Sequence, residues 1–500
     1  MPTKQRRKIG VSMIGNLSSS YGGLNVADAL DNMEPQYAVQ MDNIIPDVDG
    51  DKVRKGYINI NNTATTELIP ILRGATQYVI GAHLTDLTVY DDDWTVTETK
   101  GSFTNDYWTY ADFTDGSGNV HTMLANGHDT PQDFTTSLSD VGYTLTGFDK
   151  LDCPLAFKNR LYFISGDWEI AYTGVQSISG TLTAFEMGSY FKKGGKLLSI
   201  ANWTQDAGNG ADDLFVLIST EGEVLIYSGT SPEASDWSMI GTFSITKPVG
   251  KRCWTQLGAD LIIITQRGYF PLSSVLSDLR ANRALLSQKI DGITKGRDFS
   301  KRWEIHYRPS TNWIIVNAPS DTGIYNYEQH VCNLNTNAWC RFIGMDANSW
   351  AVLGDNLYFC NGKGIWQADT GTTDNSANII FCLQKAYNNF GTPLKKQLMR
   401  IVPHYYSAAN EVIYKKIISD FGQGKNRVFV QREDSGVSTY WDLAIWDESF
   451  WSDETNVYST RGSVTSKVGN YISVGYYGRV RNECTLYSTG LIIKDCNGHI

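Results

Sequence analysis

The sequence is poor in the residues and patterns that usually carry chemistry. Eight cysteines among 500 residues include no CxxC pair and no spacing to histidine that would suit a metal. Zinc ribbons and thioredoxin-type redox motifs are therefore excluded, and the thiols read as reduced. Cys332 and Cys340 are symmetric about Thr336 and can face each other across a hairpin. Long apolar runs are also missing: one such as Leu261 to Ile264 is only a few residues and reads as a buried strand rather than a membrane span. The start, MPTKQRRKIGVSMIGNL, is basic but has no apolar core of the kind a secretory leader needs, so a soluble, non-exported protein is expected. Positive charge is in deficit, with 43 Lys and Arg against 53 Asp and Glu, a net −10. General affinity for nucleic acid, which needs clustered cations against phosphate, is not expected. GxSxG, phosphate-loop and HExxH motifs do not occur. No enzyme is expected, and no cofactor.

What is abundant points to strands. Aromatics make up 12%, with 27 Tyr and 14 Trp, and Gly reaches 46 where Pro is only 13. That mixture suits cross-strand pairs joined by many short turns. The stretch from Gly323 to Gly371 is the clearest case. It holds the hairpin VCNLNTNAWCRF, turning on Asn335, Thr336 and Asn337, and the hairpin NLYFCNGKGIWQAD, turning on Asn361 to Gly364. Four strands in about 45 residues is the size of one propeller blade.

Similar hairpins recur upstream at 76–92, 118–134, 158–174, 212–229, 258–274 and 310–327, and Asn159 to Phe163 (NRLYF) echoes Asp355 to Phe359 (DNLYF). The fold class predicted is all-β: a β-propeller of six or seven blades over 61–371, with an extended N-terminal arm over 1–60. A β-sandwich-like domain is predicted over 379–500, where alternation lengthens, as in Leu398 to Tyr406 and Val428 to Glu433. A polar linker, Thr372 to Asn378, joins the last two. Within the arm, Asn25 reads as the cap of a short helix through Val26 to Met33, with a second helical turn near Ala38 to Asn43. One helical insertion is expected near 275–290, VLSDLRANRALLSQKI. Trp441, Trp446 and Trp451 read as a packed aromatic cluster.

Candidate sites are few. Asp47, Asp49 and Asp51 alternate around Gly50 and can converge on calcium, but an EF-hand would place its Glu where Ile58 stands, so a solvated turn is the simpler reading. His121 and His128 share a hairpin with Asp129 and Asp133, without ligand spacing. Basic clusters at Lys4 to Lys8, Lys192-Lys193 with Lys196, Lys395-Lys396 with Arg400, and Lys415-Lys416 read as solvated faces. A sialidase-like hydrolase needs an arginine cluster, a Tyr-Glu pair and repeated Asp-boxes; only Ser231 to Trp237 suggests one such box. A WD-type interaction propeller would show the Asp93-Trp94, Asp167-Trp168 and Asp236-Trp237 pairs in the opposite order.

Gly22-Gly23-Leu24-Asn25 followed by Arg54-Lys55-Gly56-Tyr57 resembles the N-terminal arm of tail hub, or nozzle, proteins of short-tailed, podovirus-type bacteriophages, also described as packaged-DNA stabilisation proteins. The 275–290 insertion, Asn337-Ala338-Trp339-Cys340, the Trp441/Trp446/Trp451 group and the closing Gly478-Arg479-Val480-Arg481 to Leu491-Ile492-Ile493 resemble the same family. The resemblance implies a structural virion protein, assembled in the host cytoplasm as a homohexamer of the tail. Its neighbours would be a portal and adaptor ring above, a needle or tip below, and fibres or spikes. Such a tube retains double-stranded DNA and conducts it at ejection, without sequence-specific binding. The alternative is a glycan-binding or sialidase-like propeller of a phage tail.

Overall fold

A computed structural model describes residues 12–144, 150–204, 213–277, 285–321, 323–408, 411–422, 427–430, 457–459 and 464–496. The protein is all-β, and among the described residues the only helical pieces are short turns at Gly188–Tyr190, Leu272–Ser277, Gln288–Ile290 and Asp291–Thr294. The chain divides into two compact units. The first comprises 1–58, 331–342 and 369–500, the second 59–330 and 343–368.

The second unit is a succession of small antiparallel sheets, each built from consecutive strands. Four-stranded sheets span 67–100, 109–140, 151–186 and 197–244, and a three-stranded sheet spans 254–271. Strands Glu304–Arg308, Trp313–Pro319 and Tyr327–Asn333 follow as consecutive neighbours, at one end of a ten-stranded sheet rather than as a small sheet of their own. The strands from Ser349 to Ala368 then form a sheet whose fourth member is Tyr57–Asn61, from the far end of the sequence. Turn residues explain the local pairing: Gly74, Asn159, Gly258, Asn312 and Gly354 all have positive φ at hairpin tips.

Apolar residues on both faces of these sheets are buried, and the cores lie between successive sheets. Ile69 and Ile80 of one sheet share a core with Leu124 and Phe134 of the next. Met123 and Ala125 face Leu161 and Phe163, while Tyr162 and Tyr172 face Phe215 and Tyr227. Val216 and Ile226 meet Leu261 and Ile263. Leu68 and Val79 of the 67–100 sheet pack on Ala351, Tyr358 and Ile365 of the sheet at 349–368. Edge-on and tilted ring contacts such as Phe157–Phe215 at 5.2 Å and Tyr162–Phe215 at 4.9 Å each add about 0.5–1.5 kcal/mol beyond the area they bury. The echo between NRLYF and DNLYF has its cause here. Both segments form the second strand of their sheet, buried on both faces (Arg160–Ser165 and Asn356–Cys360).

The first unit is built from two larger sheets. One contains Lys396–Ser407 and Cys484–Asp495, with Gly50–Val53, Ile44–Asp47, Val457–Ser459, Ser12–Leu17 and Val464–Gly469 around them. The other runs Ala338–Phe342, Gly23–Leu24, Tyr37–Asp42, Ile379–Lys385, Ile472–Val480, Val412–Ser419, Arg427–Val430. Burial alternates along Cys484–Asp495 with the period of a half-buried strand, apart from a slip at Tyr487–Ser488 where the ladder to Lys396–Ser407 also shifts register. Polar side chains bridge the two sheets: Tyr476 OH lies 2.7 Å from Thr489 Oγ1, and Lys385 Nζ reaches Asp51 at 3.3 Å.

Several local expectations change. Within the expected N-terminal arm, Ser12–Leu17, Tyr37–Asp42 and Gly50–Val53 pair with 379–385 and 484–495, in the same compact unit as the C-terminal part, whereas Tyr57–Asn61 joins the sheet at 349–368. The expected helix at 26–33 is a series of bends and turns. Asn25 caps it through hydrogen bonds to Ala27 N (3.2 Å) and Asp28 N (3.1 Å), an Asx-type turn that goes no further. Ala38 to Asp42 is strand, because Ala38, Met41 and Asp42 find a ladder partner in Ile379–Lys385. The four strands of 323–371 do not make one sheet. Residues 331–342 belong to the first unit, where Gly23 lies against Trp339 so closely that a Cβ would stand 2.6 Å from its carbonyl oxygen. Of the helix expected at 275–290, the first residues extend Leu272–Ser277 and the last form a 3-10 turn, with 278–284 outside the described residues. Trp441, Trp446 and Trp451 also lie outside them.

Candidate functional site

The first strand of each sheet in the second unit begins with, or just after, a polar residue, and these beginnings converge. Glu67 opens Glu67–Arg73, Glu304 opens Glu304–Arg308, Ser349 opens Ser349–Leu353, and Arg252 stands two residues before Trp254–Leu257. Arg252 bridges the two glutamates, at 2.5 Å from Glu67 Oε1 and 3.1 Å from Glu304 Oε1. Arg302 reaches Glu67 Oε2 at 3.1 Å and also pairs with Asp106. Glu304 Oε2 accepts from Ser349 Oγ at 3.2 Å and from Trp350 N at 3.0 Å, and lies 3.2 Å from His306 Nε2. Alongside, both oxygens of Asp152 hold Lys251 Nζ, at 2.9 and 3.0 Å. The Tyr107 ring lies between two cations, Lys251 Nζ at 4.5 Å and the Arg302 guanidinium at 4.6 Å.

Electrostatics differ sharply between the two glutamates. Complete burial pushes the Glu67 carboxyl up to about 8, against the pull of Arg252, and the neighbouring Glu304 charge adds to the rise. Glu304 is equally buried, yet Arg252, His306 and the Trp350 N–H hold it down at about 2. A pair pushed apart in this way is a pattern seen at catalytic centres. Neither carboxylate is more than 1% exposed, however, and neither lines a recess through an oxygen free of protein partners. The arrangement is a salt-bridged hub that ties several sheets together.

Two recesses adjoin it. One, of about 310 Å³, is lined by first strands of five sheets, including Tyr110, Ser199, Trp254 and His306. Another, of about 650 Å³, lies beyond the Lys251–Asp152 pair and is edged by Tyr107, Lys150 and Lys196. A third, of about 680 Å³, opens between Leu72, Tyr78 and Val120 above His121.

The residues singled out from sequence fall elsewhere. Asp51 is fully buried in the first unit, accepting from Ser20 N at 2.7 Å and paired with Lys385. Burial raises its carboxyl, which Lys385 opposes. Asp47 turns the other way, to Lys52 at 2.8 Å, and Asp49 is exposed, so the three aspartates do not meet. Among the described residues no group of His, Cys, Asp and Glu has the geometry of a metal site. His121 Nδ1 is 2.7 Å from Asp133, while His128 is exposed and separate. None of the eight cysteines is in a disulfide.

Two of the basic clusters are not solvated faces. Lys396 is buried and donates to the carbonyls of Thr392, Leu394 and Asn470 at 2.6, 2.8 and 2.9 Å. Lys415 is buried, and its side chain's one hydrogen-bond partner among the described residues is Ile401 O at 3.5 Å. Burial and the nearby Arg400 bring its ammonium down to about 8. The cluster at Lys4 to Lys8 lies outside the described residues. Glu67, Arg252 and Glu304 were not singled out from sequence, since they are 185 and 52 residues apart along the chain. The only trace they leave is a charge at the edge of an apolar strand.

Two of the motifs that carry the family resemblance, Gly22 to Asn25 and Arg54 to Tyr57, make close structural contacts. Arg54 is buried over the Phe342 ring at 5.8 Å and grips both oxygens of Asp374 at 2.8 Å. Gly56 packs so tightly on Thr373 that a Cβ would fall 1.9 Å from its carbonyl oxygen. No family model matches the chain, and no curated protein does. Among solved structures, the computationally designed Ika8 protein aligns with a TM-score of 0.38 and 8% identity, over 63% of this chain and 99% of that one. In the described residues no helix is long and apolar enough to cross a membrane.

Proposed function

We propose that this chain is a non-catalytic structural protein whose second unit is a seven-bladed β-propeller and whose first unit is a β-sandwich. The observation that carries the reading is the hub. Strand beginnings from separate sheets meet at Arg252, and the strongly charged groups there are spent on one another. Cores shared between neighbouring sheets, and the entry of Tyr57–Asn61 into the sheet at 349–368, support closure of the series into a ring. A buried arginine between two glutamate side chains holds a scaffold in register. It cannot also grip the carboxylate of a substrate. This counts against the sialidase-like alternative, for which Arg252 and Arg302 would have to be free.

Within that class, the family resemblance leads to the tail hub of a short-tailed bacteriophage, assembled as a homohexamer between a portal or adaptor ring and the tip. The residues that carry it, Gly23, Arg54 and Gly56, each make a contact that substitution would break. A recess of about 310 Å³ at the meeting point of the sheets is far too small for a DNA duplex, so the conduit would lie between subunits. A net charge of −10 on each subunit would let DNA slide without phosphate contacts that trap it. Cryo-electron microscopy of particles carrying the protein tests this: a six-fold ring below the portal is the expected result. Any other symmetry, or particles that keep their DNA when the protein is absent, would remove the tail-hub reading.

A further inference from the structure

The smaller recess beside the hub carries chemistry that a scaffold does not use. Its floor is electrically balanced, with Lys251 held by Asp152 and Arg252 held by Glu304 and Glu67. A charged ligand would have to compete for one of these pairs and leave a buried partner uncompensated. The wall is different. Trp254 donates its indole N–H to Ser199 Oγ at 3.0 Å, which fixes the ring, and no ring or cation among the described residues stacks on it. Next to it stands Gln256, exposed, with its amide carbonyl uncommitted, and His306, one of whose ring nitrogens has no protein partner among the described residues.

We propose that this recess binds a single pyranose ring of a neutral carbohydrate, stacked on Trp254 and hydrogen-bonded by Gln256 and His306. A sugar ring offers an apolar C–H face to the negative face of an indole and a rim of hydroxyls to side-chain donors and acceptors. A volume of about 310 Å³ is at the small end of ligand sites, which suits one ring better than a chain. The site binds without cleaving. Cleavage would need a carboxylic acid at the glycosidic oxygen and a second carboxylate opposite it. Here Glu304 is taken by Arg252, Ser349 and the Trp350 N–H, and Glu67 is enclosed.

The test uses the full chain with methyl α-glucopyranoside, methyl β-galactopyranoside and N-acetylglucosamine as neutral probes, read by saturation-transfer NMR. Inorganic phosphate and N-acetylneuraminic acid serve as charged probes. At least one neutral sugar should bind saturably, weakened about tenfold or more by Trp254→Ala and largely retained in Trp254→Phe, which keeps an aromatic face. Gln256→Ala, at an exposed position, should weaken it several-fold with an unchanged melting curve, and it decides the matter if Trp254→Ala does not fold. Failure of every neutral sugar to bind, binding of the charged probes in their place, or affinity unchanged in both alanine variants would each overturn the proposal. The symmetry of the particle, which tests the tail-hub reading, is independent of all these outcomes.

Discussion

Replacing Glu67 by Gln separates two accounts of the hub. In the folded chain the Glu67 carboxyl titrates at about 8, whereas an unfolded glutamate titrates near 4.3. The folded state therefore binds more protons than the unfolded state across that interval, and stability falls as pH rises through it. The wild-type protein should therefore lose stability from this group between pH 5 and pH 7, by an amount on the order of 1 kcal/mol per pH unit at most. Glu304 does not blur the result. Its carboxyl is held at about 2, so its contribution is present above the ordinary glutamate range and is lost only as pH falls below it.

Glutamine mimics the protonated acid in size and keeps an oxygen for Arg252, so Glu67→Gln should remove the slope while changing stability little at pH 5. Urea unfolding followed by tryptophan fluorescence at pH 5, 6 and 7, taken as the difference between the two proteins, cancels every other titrating group. Equal slopes in the two proteins would refute the reasoning. Glu67 would then be ionised in company with its two arginines, and burial would not be the dominant influence.

Lys415→Met should stabilise the protein at pH 7 by about 1–3 kcal/mol, because a buried ammonium with a single distant carbonyl is replaced by an apolar side chain. Wild-type stability should rise between about pH 8 and 10.5, since the folded pKa of Lys415 is depressed, and the variant should lack that rise; a variant less stable than wild type at pH 7 would contradict this. Asp374→Ala leaves Arg54 buried without its carboxylate and should cost about 3–5 kcal/mol, seen as an earlier urea transition. Gly56→Ala should prevent accumulation of folded protein, given the contact with Thr373, which a soluble, cooperatively melting variant would disprove. Chelation by EDTA should leave the melting temperature unchanged, because Asp47 and Asp51 are already engaged by Lys52 and Lys385; a drop on chelation would restore the calcium reading.

Much of the local structure could be read from the chain itself. Hairpins at 158–174, 212–229 and 258–274 are where alternation and turn residues place them. Such pairing depends on neighbours a few residues away, and a glycine or asparagine with positive φ between two apolar runs leaves few alternatives. Expectations failed where a short segment had no strong pattern of its own. Tyr37–Asp42 became strand because Ile379–Lys385, some 340 residues later, offered a ladder, and local propensity was too weak to resist.

Lys396 and Lys415 show the same limit from the side of charge. A lysine pair reads as a solvated face, and only the surrounding backbone carbonyls make burial of the second member tolerable for Lys396. The sequence alone therefore determined that this is an all-β protein of short hairpins. The tertiary structure alone decided that Gly23, Arg54 and Gly56 meet Trp339, Asp374 and Thr373, some 320 residues later, and that Glu67, Arg252 and Glu304 meet. Alternation and turn chemistry act over a few residues and leave a visible period. An ion pair between positions 185 residues apart leaves none, because its strength depends on burial and distance that exist only once the sheets have packed.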